Sequence, residues 1–140
     1  MEPPGNWSHS RTVIGGWRDE IQHRYRSFRA AFRGLGWLIW NERHFQVHLV
    51  AAGAAILLGW ALGLTPTEWA ILGLTIGLVL VAEAINAAIE HTIDLTVQQI
   101  HPIARRAKDI GAAAVLVAAA VSVLVGCFLF LPKLIALLHR

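Results

Sequence analysis

Residues 110–131 read IGAAAVLVAAAVSVLVGCFLFL and contain no charged side chain. A helix rises roughly 1.5 Å per residue, so this stretch is long enough to cross a hydrocarbon layer of about 30 Å. Two further apolar blocks precede it, separated by the turn Thr65-Pro66-Thr67-Glu68. Together the three blocks predict an all-α membrane protein with membrane-spanning helices near 46–64, 67–95 and 110–132.

The composition of the whole chain agrees with this assignment. Of its 140 residues, 56% are hydrophobic and 15% are charged, with a mean hydropathy of +0.54. So high a hydrophobic content excludes a disordered chain. A soluble domain of this size needs more charged residues on its surface, so a soluble α/β enzyme is disfavoured. The single cysteine, Cys127, excludes an internal disulfide framework and a thiolate zinc cage within one chain.

The basic residues predict how the spans are oriented. Of the 12 lysines and arginines, seven precede position 44 and three lie at 105–108. Lys and Arg in short loops favour the cytoplasmic side, and the turn at 65–68 carries no base. We therefore expect a multi-pass protein of the cytoplasmic (inner) membrane with a cytoplasmic N-terminus. The net charge of +3 is explained by this distribution, so we expect no nucleic-acid partner.

The segment before the first span divides into two parts. Residues 1–16 are rich in Pro and Gly without periodicity, which predicts a flexible tail. Over about 17–43 the pattern becomes helical, and residues 17–140 are predicted to form a single membrane domain. Five apolar residues share an arc of about 80° on this helix, with four arginines on a neighbouring arc. Such a helix is expected to lie in the membrane surface. The apolar residues are Ile21, Tyr25, Phe28, Phe32 and Leu35.

The second span contains acids that a membrane does not favour. Glu83, Asn86, Glu90 and Asp94 fall within about 80° on one helix face. An ionised side chain in the bilayer costs roughly 2.5–3.5 kcal/mol on insertion scales. Three interpretations compete. The stripe is a helix interface with neutral or paired acids, a path for cation conduction or proton relay, or a divalent-metal and phosphate site at the cytoplasmic end.

The flanking segments favour the metal and phosphate site. Glu42 precedes the first span, and Arg105, Arg106 and Lys108 follow the second. Phosphoryl transfer needs metal-binding acids and cations near the phosphates. The chain has no GxxxxGK[ST] and no kinase-type Gly-rich loop, which excludes those two nucleotide sites. The alternatives from other classes are a small trimeric ion channel or transporter, which would consume no ATP, and an inactive membrane scaffold.

Two motifs make the chain recognisable. The segment Glu83-Ala-Ile-Asn86-Ala-Ala-Ile-Glu90-His-Thr-Ile-Asp94 is followed by Ala107-Lys108-Asp109-Ile110-Gly111-Ala-Ala-Ala-Val115. Together they resemble the signature of the bacterial diacylglycerol kinase and undecaprenol kinase family, and the resemblance extends over about 25–131. It implies a homotrimer of three-span subunits with active sites shared between neighbours. It also implies transfer of the ATP γ-phosphate to a lipid hydroxyl with Mg²⁺.

The resemblance also implies a role for each site residue. Glu83 matches the catalytic base, which either abstracts the proton of the lipid hydroxyl or orients that hydroxyl. Glu42 and Glu90 match the acids that hold Mg²⁺ on the nucleotide phosphates. Asp94, Lys108 and Asp109 are assigned to nucleotide binding, and Asn86 is polar support on the acidic stripe.

The acceptor lipid is predicted from a smaller set of residues. The segments 27–34 and 41–48 look more like the undecaprenol kinase branch of the family. The diacylglycerol-specific branch carries an acid where His48 stands, and we expect His48 to face the lipid. The preferred acceptor is therefore undecaprenol, giving undecaprenyl phosphate. The alternative is diacylglycerol, giving phosphatidic acid.

Overall fold

A computed structural model describes residues 16–96 and 101–139. Within these ranges the chain forms four helices and no strand: α1 (Gly16–Asn41), α2 (Arg43–Ala61), α3 (Pro66–Thr96) and α4 (Pro102–Leu138). The predicted all-α architecture is therefore confirmed. Apart from Gly16, the predicted tail lies outside the described residues. The chain divides into one compact unit up to Trp37 and a second from Leu38 onward.

Helix α1 has the predicted amphipathic pattern over 26 residues. The five residues of its apolar arc are 45–71% exposed. The helix ends at Asn41, two residues before the predicted end at 43. Glu42 leaves the helix because its backbone is extended, with φ −97° and ψ 108°. Helix α2 then begins at Arg43, three residues before the predicted start of the first span.

Helix α2 ends at Ala61, not at position 64 as predicted. Gly63 has φ +64°, in the left-handed region where glycine has no Cβ penalty. Its N–H donates to the Trp60 carbonyl at 3.3 Å, and the Leu64 N–H donates to the Gly59 carbonyl at 3.1 Å. This pair of bonds is a Schellman motif, which satisfies the last carbonyls and terminates the helix.

Helix α3 begins with a capping box. Glu68 Oε2 accepts from the Thr65 N–H at 2.6 Å, and Thr65 Oγ1 accepts from the Glu68 N–H at 3.4 Å. Lys133 of α4 reaches the same carboxylate at 3.0 Å. The turn predicted from sequence therefore makes hydrogen bonds with the start of α3 and an ion pair with α4. We call this end of the bundle the turn end.

Helix α4 is longer than its predicted span at 110–132. It begins at Pro102, where His101 Nδ1 accepts from the Ile103 N–H at 3.3 Å and proline occupies the first helical position. The charged residues at 105–108 therefore lie on a helix, whereas the hydropathy pattern had placed them in a loop. The helix continues to Leu138, beyond the last long apolar run.

The packing within the second unit is concentrated along α3. At the turn end, Leu64, Leu72 and Leu129 form a small buried core. At the other end, Phe45 of α2 is only 2% exposed. Helices α2, α3 and α4 are all long and apolar enough to cross a membrane, and most of their apolar side chains face outward. Such surfaces suit lipid or other helices in a bilayer.

Candidate active site

The acidic stripe of α3 passes from the interior of the second unit to its surface. Glu83 is 3% exposed and Asn86 is 7% exposed. One turn further along, Glu90 is half-buried, and the Asp94 side chain is 63% exposed. The four side chains predicted to share one face therefore differ in burial by position. Glu83 is the most buried of the four side chains, as expected for the deepest acid of the stripe.

Asn86 links the stripe to α4. Its Nδ2 donates to Glu90 Oε1 at 3.1 Å, which fixes one oxygen of that carboxylate. Its Oδ1 is buried and receives no hydrogen bond from any residue in the described part of the chain. A Cβ placed on Gly111 would lie 2.5 Å from this oxygen. Gly111 is therefore required for the close approach of α4 to Asn86. The sequence motif included this glycine, but the sequence alone did not show why a glycine is needed there.

Glu42 lies at the break between α1 and α2. Its side chain is 19% exposed, and Oε1 lies 2.7 Å from His91 Nε2 on α3. A ring nitrogen that carries its proton donates to the carboxylate at this distance. The structure therefore brings Glu42 beside the residue that follows Glu90. Sequence reasoning missed His91, because a lone histidine with no metal-ligand spacing gives no signal for such a contact.

Two of the predicted nucleotide-binding residues form an ion pair across the gap between α3 and α4. Lys108 Nζ lies 2.5 Å from Asp94 Oδ1. The Lys108 side chain is 33% exposed, so its ammonium lies at the margin of the stripe and not deep among apolar groups. Asp109 is exposed on the next position of α4. The stripe thus has a cation at its exposed end.

His48 lies near a cavity between α2, α3 and α4. The cavity has a volume of about 110 Å³ and a lining of mostly small or apolar side chains. His48 lines it together with Val79, which lies one turn before Glu83 on α3. Two hydroxyls in the lining, Thr75 and Ser122, donate to carbonyls of their own helices. The cavity therefore offers a mostly apolar space whose lining on α3 ends within one helical turn of Glu83 in the sequence.

The donor groups determine what kind of metal the site could hold. Over residues 16–96 and 101–139, no group of three or more His, Cys, Asp or Glu side chains forms a ready-made metal cage. Glu42 and Glu90 offer carboxylate oxygens, which suit a hard cation. Mg²⁺ is usually bound by one or two carboxylates together with substrate phosphates. The chemistry of these two carboxylates therefore fits Mg²⁺ that arrives with a nucleotide.

Comparison with known proteins shows that the chain is similar to prokaryotic lipid kinases. Residues 29–130 match the family model described as prokaryotic diacylglycerol kinase, a range that contains all the candidate site residues. The chain is 43% identical over 117 residues to an undecaprenol kinase of Bacillus subtilis, covering 84% of this chain and 95% of that protein. It is 41% identical over 113 residues to a diacylglycerol kinase of a Synechocystis species, covering 80% and 65%. It is 33% identical over 107 residues to a diacylglycerol kinase of Escherichia coli, covering 76% and 82%.

Proposed function

The chain belongs to the prokaryotic diacylglycerol kinase family, and from this membership we propose that it phosphorylates undecaprenol with Mg²⁺ and ATP. That the protein is a multi-pass membrane lipid kinase follows from the family and from its three candidate spans. The observation that carries the proposed reaction is the gradient along α3, with a buried Glu83 and a half-buried Glu90 on one face. This arrangement suits a site where a membrane alcohol and a water-borne nucleotide meet.

The nucleotide is bound at the more exposed end of the stripe. Mg²⁺ bound here would supply positive charge to the phosphate oxygens. Glu42 and Glu90 would hold it, and Asn86 keeps the Glu90 carboxylate in one orientation. Lys108 is released from Asp94 or shared with it when a phosphate approaches, and Asp109 contacts the nucleotide from the same turn of α4.

Glu83 acts on the acceptor. The hydroxyl oxygen of the lipid forms a bond to the γ-phosphorus, the bond from that phosphorus to the β-bridging oxygen breaks, and ADP leaves. The hydroxyl proton passes to the Glu83 carboxylate, which then returns it to water. In a loose transition state this transfer comes late, so Glu83 also orients the hydroxyl for attack before it takes the proton.

The acceptor chain would lie against the cavity lined by His48 and Val79. Small apolar side chains leave room for branched methyl groups, which favours an isoprenoid. The undecaprenol kinase of Bacillus subtilis is a relative with 95% of its length covered, and this similarity supports the same preference. The alternative is diacylglycerol, because the Synechocystis and Escherichia coli relatives carry that name.

The proposal includes the assembly and its orientation. The protein lies in the inner membrane. Its N-terminus and the exposed end of the stripe lie on the cytoplasmic side, where ATP is available. Basic residues at 105–108 on this side support that orientation. Three copies of the chain form a homotrimer in which neighbouring subunits share active sites. The many outward-facing apolar residues of α2, α3 and α4 provide surface for such contacts.

The acceptor preference is tested with purified full-length protein in lipid micelles and ATP labelled at the γ-phosphate. Undecaprenol and diacylglycerol are offered at equal concentration, singly and together. We expect label mainly in undecaprenyl phosphate, with a larger kcat/KM for that lipid. His48→Glu should shift the ratio toward diacylglycerol. A larger kcat/KM for diacylglycerol would contradict the acceptor assignment, and label in neither lipid would contradict the proposed reaction.

A further inference from the structure

Glu42 occupies the N-cap position of α2 but does not cap it. The usual N-cap side chains accept a hydrogen bond from the N–H groups of the first turn. Glu42 makes no such bond, although its backbone has the extended conformation of an N-cap residue. Its carboxylate is directed instead to α3, where Oε1 lies 2.7 Å from His91 Nε2. The side chain is therefore held by a residue 49 positions away rather than by its own helix.

We propose that His91 is a positioning residue that holds the Glu42 carboxylate for binding of Mg²⁺ with a nucleotide phosphate. This inference rests on the proposed function, in which Glu42 and Glu90 hold that metal. His91 follows Glu90 directly on α3, so its contact with Glu42 ties the carboxylate from the start of α2 to the helix that carries the second acid. A mobile Glu side chain loses rotamer freedom when it binds a metal ion, which costs free energy. A carboxyl group that is already fixed binds the ion without that cost.

The chemistry of the contact leaves the carboxylate able to bind a cation. A neutral imidazole that donates from Nε2 uses one lone pair of Oε1 and leaves Oε2 open. Carboxylates that bind metals are commonly held by such a second hydrogen bond, and removal of that partner typically weakens metal affinity about 10- to 100-fold. His91 is therefore expected to act through Glu42 and not by touching the metal or the phosphate.

His91 can be replaced without disturbing a buried core, so a positioning role can be tested apart from a structural one. Its side chain is 51% exposed, so truncation leaves no buried cavity. We therefore expect His91→Ala to fold. His91→Gln is the conservative variant, because the glutamine Nε2 also carries an N–H that can donate to Glu42. His44 is the matched control, since it is an exposed histidine two positions after Glu42 in the sequence.

The test measures nucleotide binding apart from turnover. A fluorescent, non-hydrolysable ATP analogue is titrated into the full-length variants in micelles, with Mg²⁺ present and with Mg²⁺ removed by chelation. Mn²⁺ binding in the presence of the analogue is followed by electron paramagnetic resonance. We expect His91→Ala to weaken the Mg²⁺-dependent affinity about 10- to 100-fold and to leave the Mg²⁺-free affinity unchanged. His91→Gln should recover most of the lost affinity, and His44→Ala should match wild type.

Other outcomes would overturn the inference. Unchanged Mg²⁺-dependent affinity in His91→Ala would show that the contact does not serve the metal. An equal loss with and without Mg²⁺, or a failure of His91→Gln to recover affinity, would assign His91 a structural role only. The proposed function is judged separately by phosphate transfer in the wild type. His91-dependent binding without transfer to either lipid would contradict the reaction while leaving the positioning role intact.

Discussion

Gly111 determines how closely α4 approaches α3 beside the acidic stripe. An alanine there would place its Cβ 2.5 Å from Asn86 Oδ1, so the amide or the helix must move. Overpacking of this kind costs about 1–3 kcal/mol, more than the roughly 0.5–1 kcal/mol that alanine contributes to a helix interior. We expect Gly111→Ala to lower the midpoint of thermal unfolding in micelles and to reduce phosphate transfer, because Asn86 also orients Glu90.

Gly126→Ala is the matched control on the same helix. A Cβ at Gly126 would lie 3.9 Å from the Phe130 ring, an ordinary van der Waals distance. This variant should unfold at the same temperature as wild type or slightly above it. Equal melting temperatures for the two variants would contradict the steric account of Gly111.

Individual residues of the stripe were predictable from the sequence, but their partners were not. The 100° rotation per residue was enough to place Glu83, Asn86 and Glu90 on one face. The contact from His91 to Glu42 depends on two side chains 49 positions apart, which no helical period relates. The same is true of Gly111 and Asn86, whose contact depends on the distance between two helices.

At the scale of the helices, the sequence predicted the number of elements better than their ends. Hydropathy follows the apolar residues, so the third span was predicted to begin at 110 although α4 begins at Pro102. The start depends on the cap at His101 and the proline after it. The end of α2 likewise depends on the left-handed Gly63, whereas the apolar pattern continued to Leu64.

The orientation of α1 on the membrane is a prediction at this same scale. Phe28 lies within its apolar arc and is 67% exposed, whereas Ala30 lies on the opposite side by helical rotation. In a Cys127→Ser background, Phe28→Cys and Ala30→Cys are labelled with an environment-sensitive fluorophore in lipid vesicles. We expect blue-shifted emission, protected from aqueous quenchers, only from position 28. Equal emission from both positions would show that α1 does not lie in the membrane surface.

At the scale of the whole molecule, the ion pairs that join distant parts of the sequence in the described residues lie at the two ends of the bundle formed by α2, α3 and α4. At the turn end, Lys133 pairs with Glu68 at 3.0 Å and contacts the Gly63 carbonyl at 3.5 Å. This cluster connects the α2–α3 turn to α4. At the other end, the ion pairs involve Glu42 and Asp94, both assigned to the nucleotide. Since a hydrocarbon interior supplies no water to polar groups, contacts of this kind belong near the membrane boundaries.

The central claim is that Glu83 serves the acceptor lipid while Glu90 serves the nucleotide, on one face of one helix. The measurement that tests it most directly is a comparison of Glu83→Gln and Glu90→Gln in steady-state transfer of the ATP γ-phosphate to undecaprenol. Removal of a base or orienting group should lower kcat by about 10²–10⁴ in Glu83→Gln, with the KM for Mg·ATP near that of wild type. Glu90→Gln should instead raise the KM for Mg·ATP. Near-normal kcat in Glu83→Gln, or the same loss of nucleotide affinity in both variants, would contradict the account.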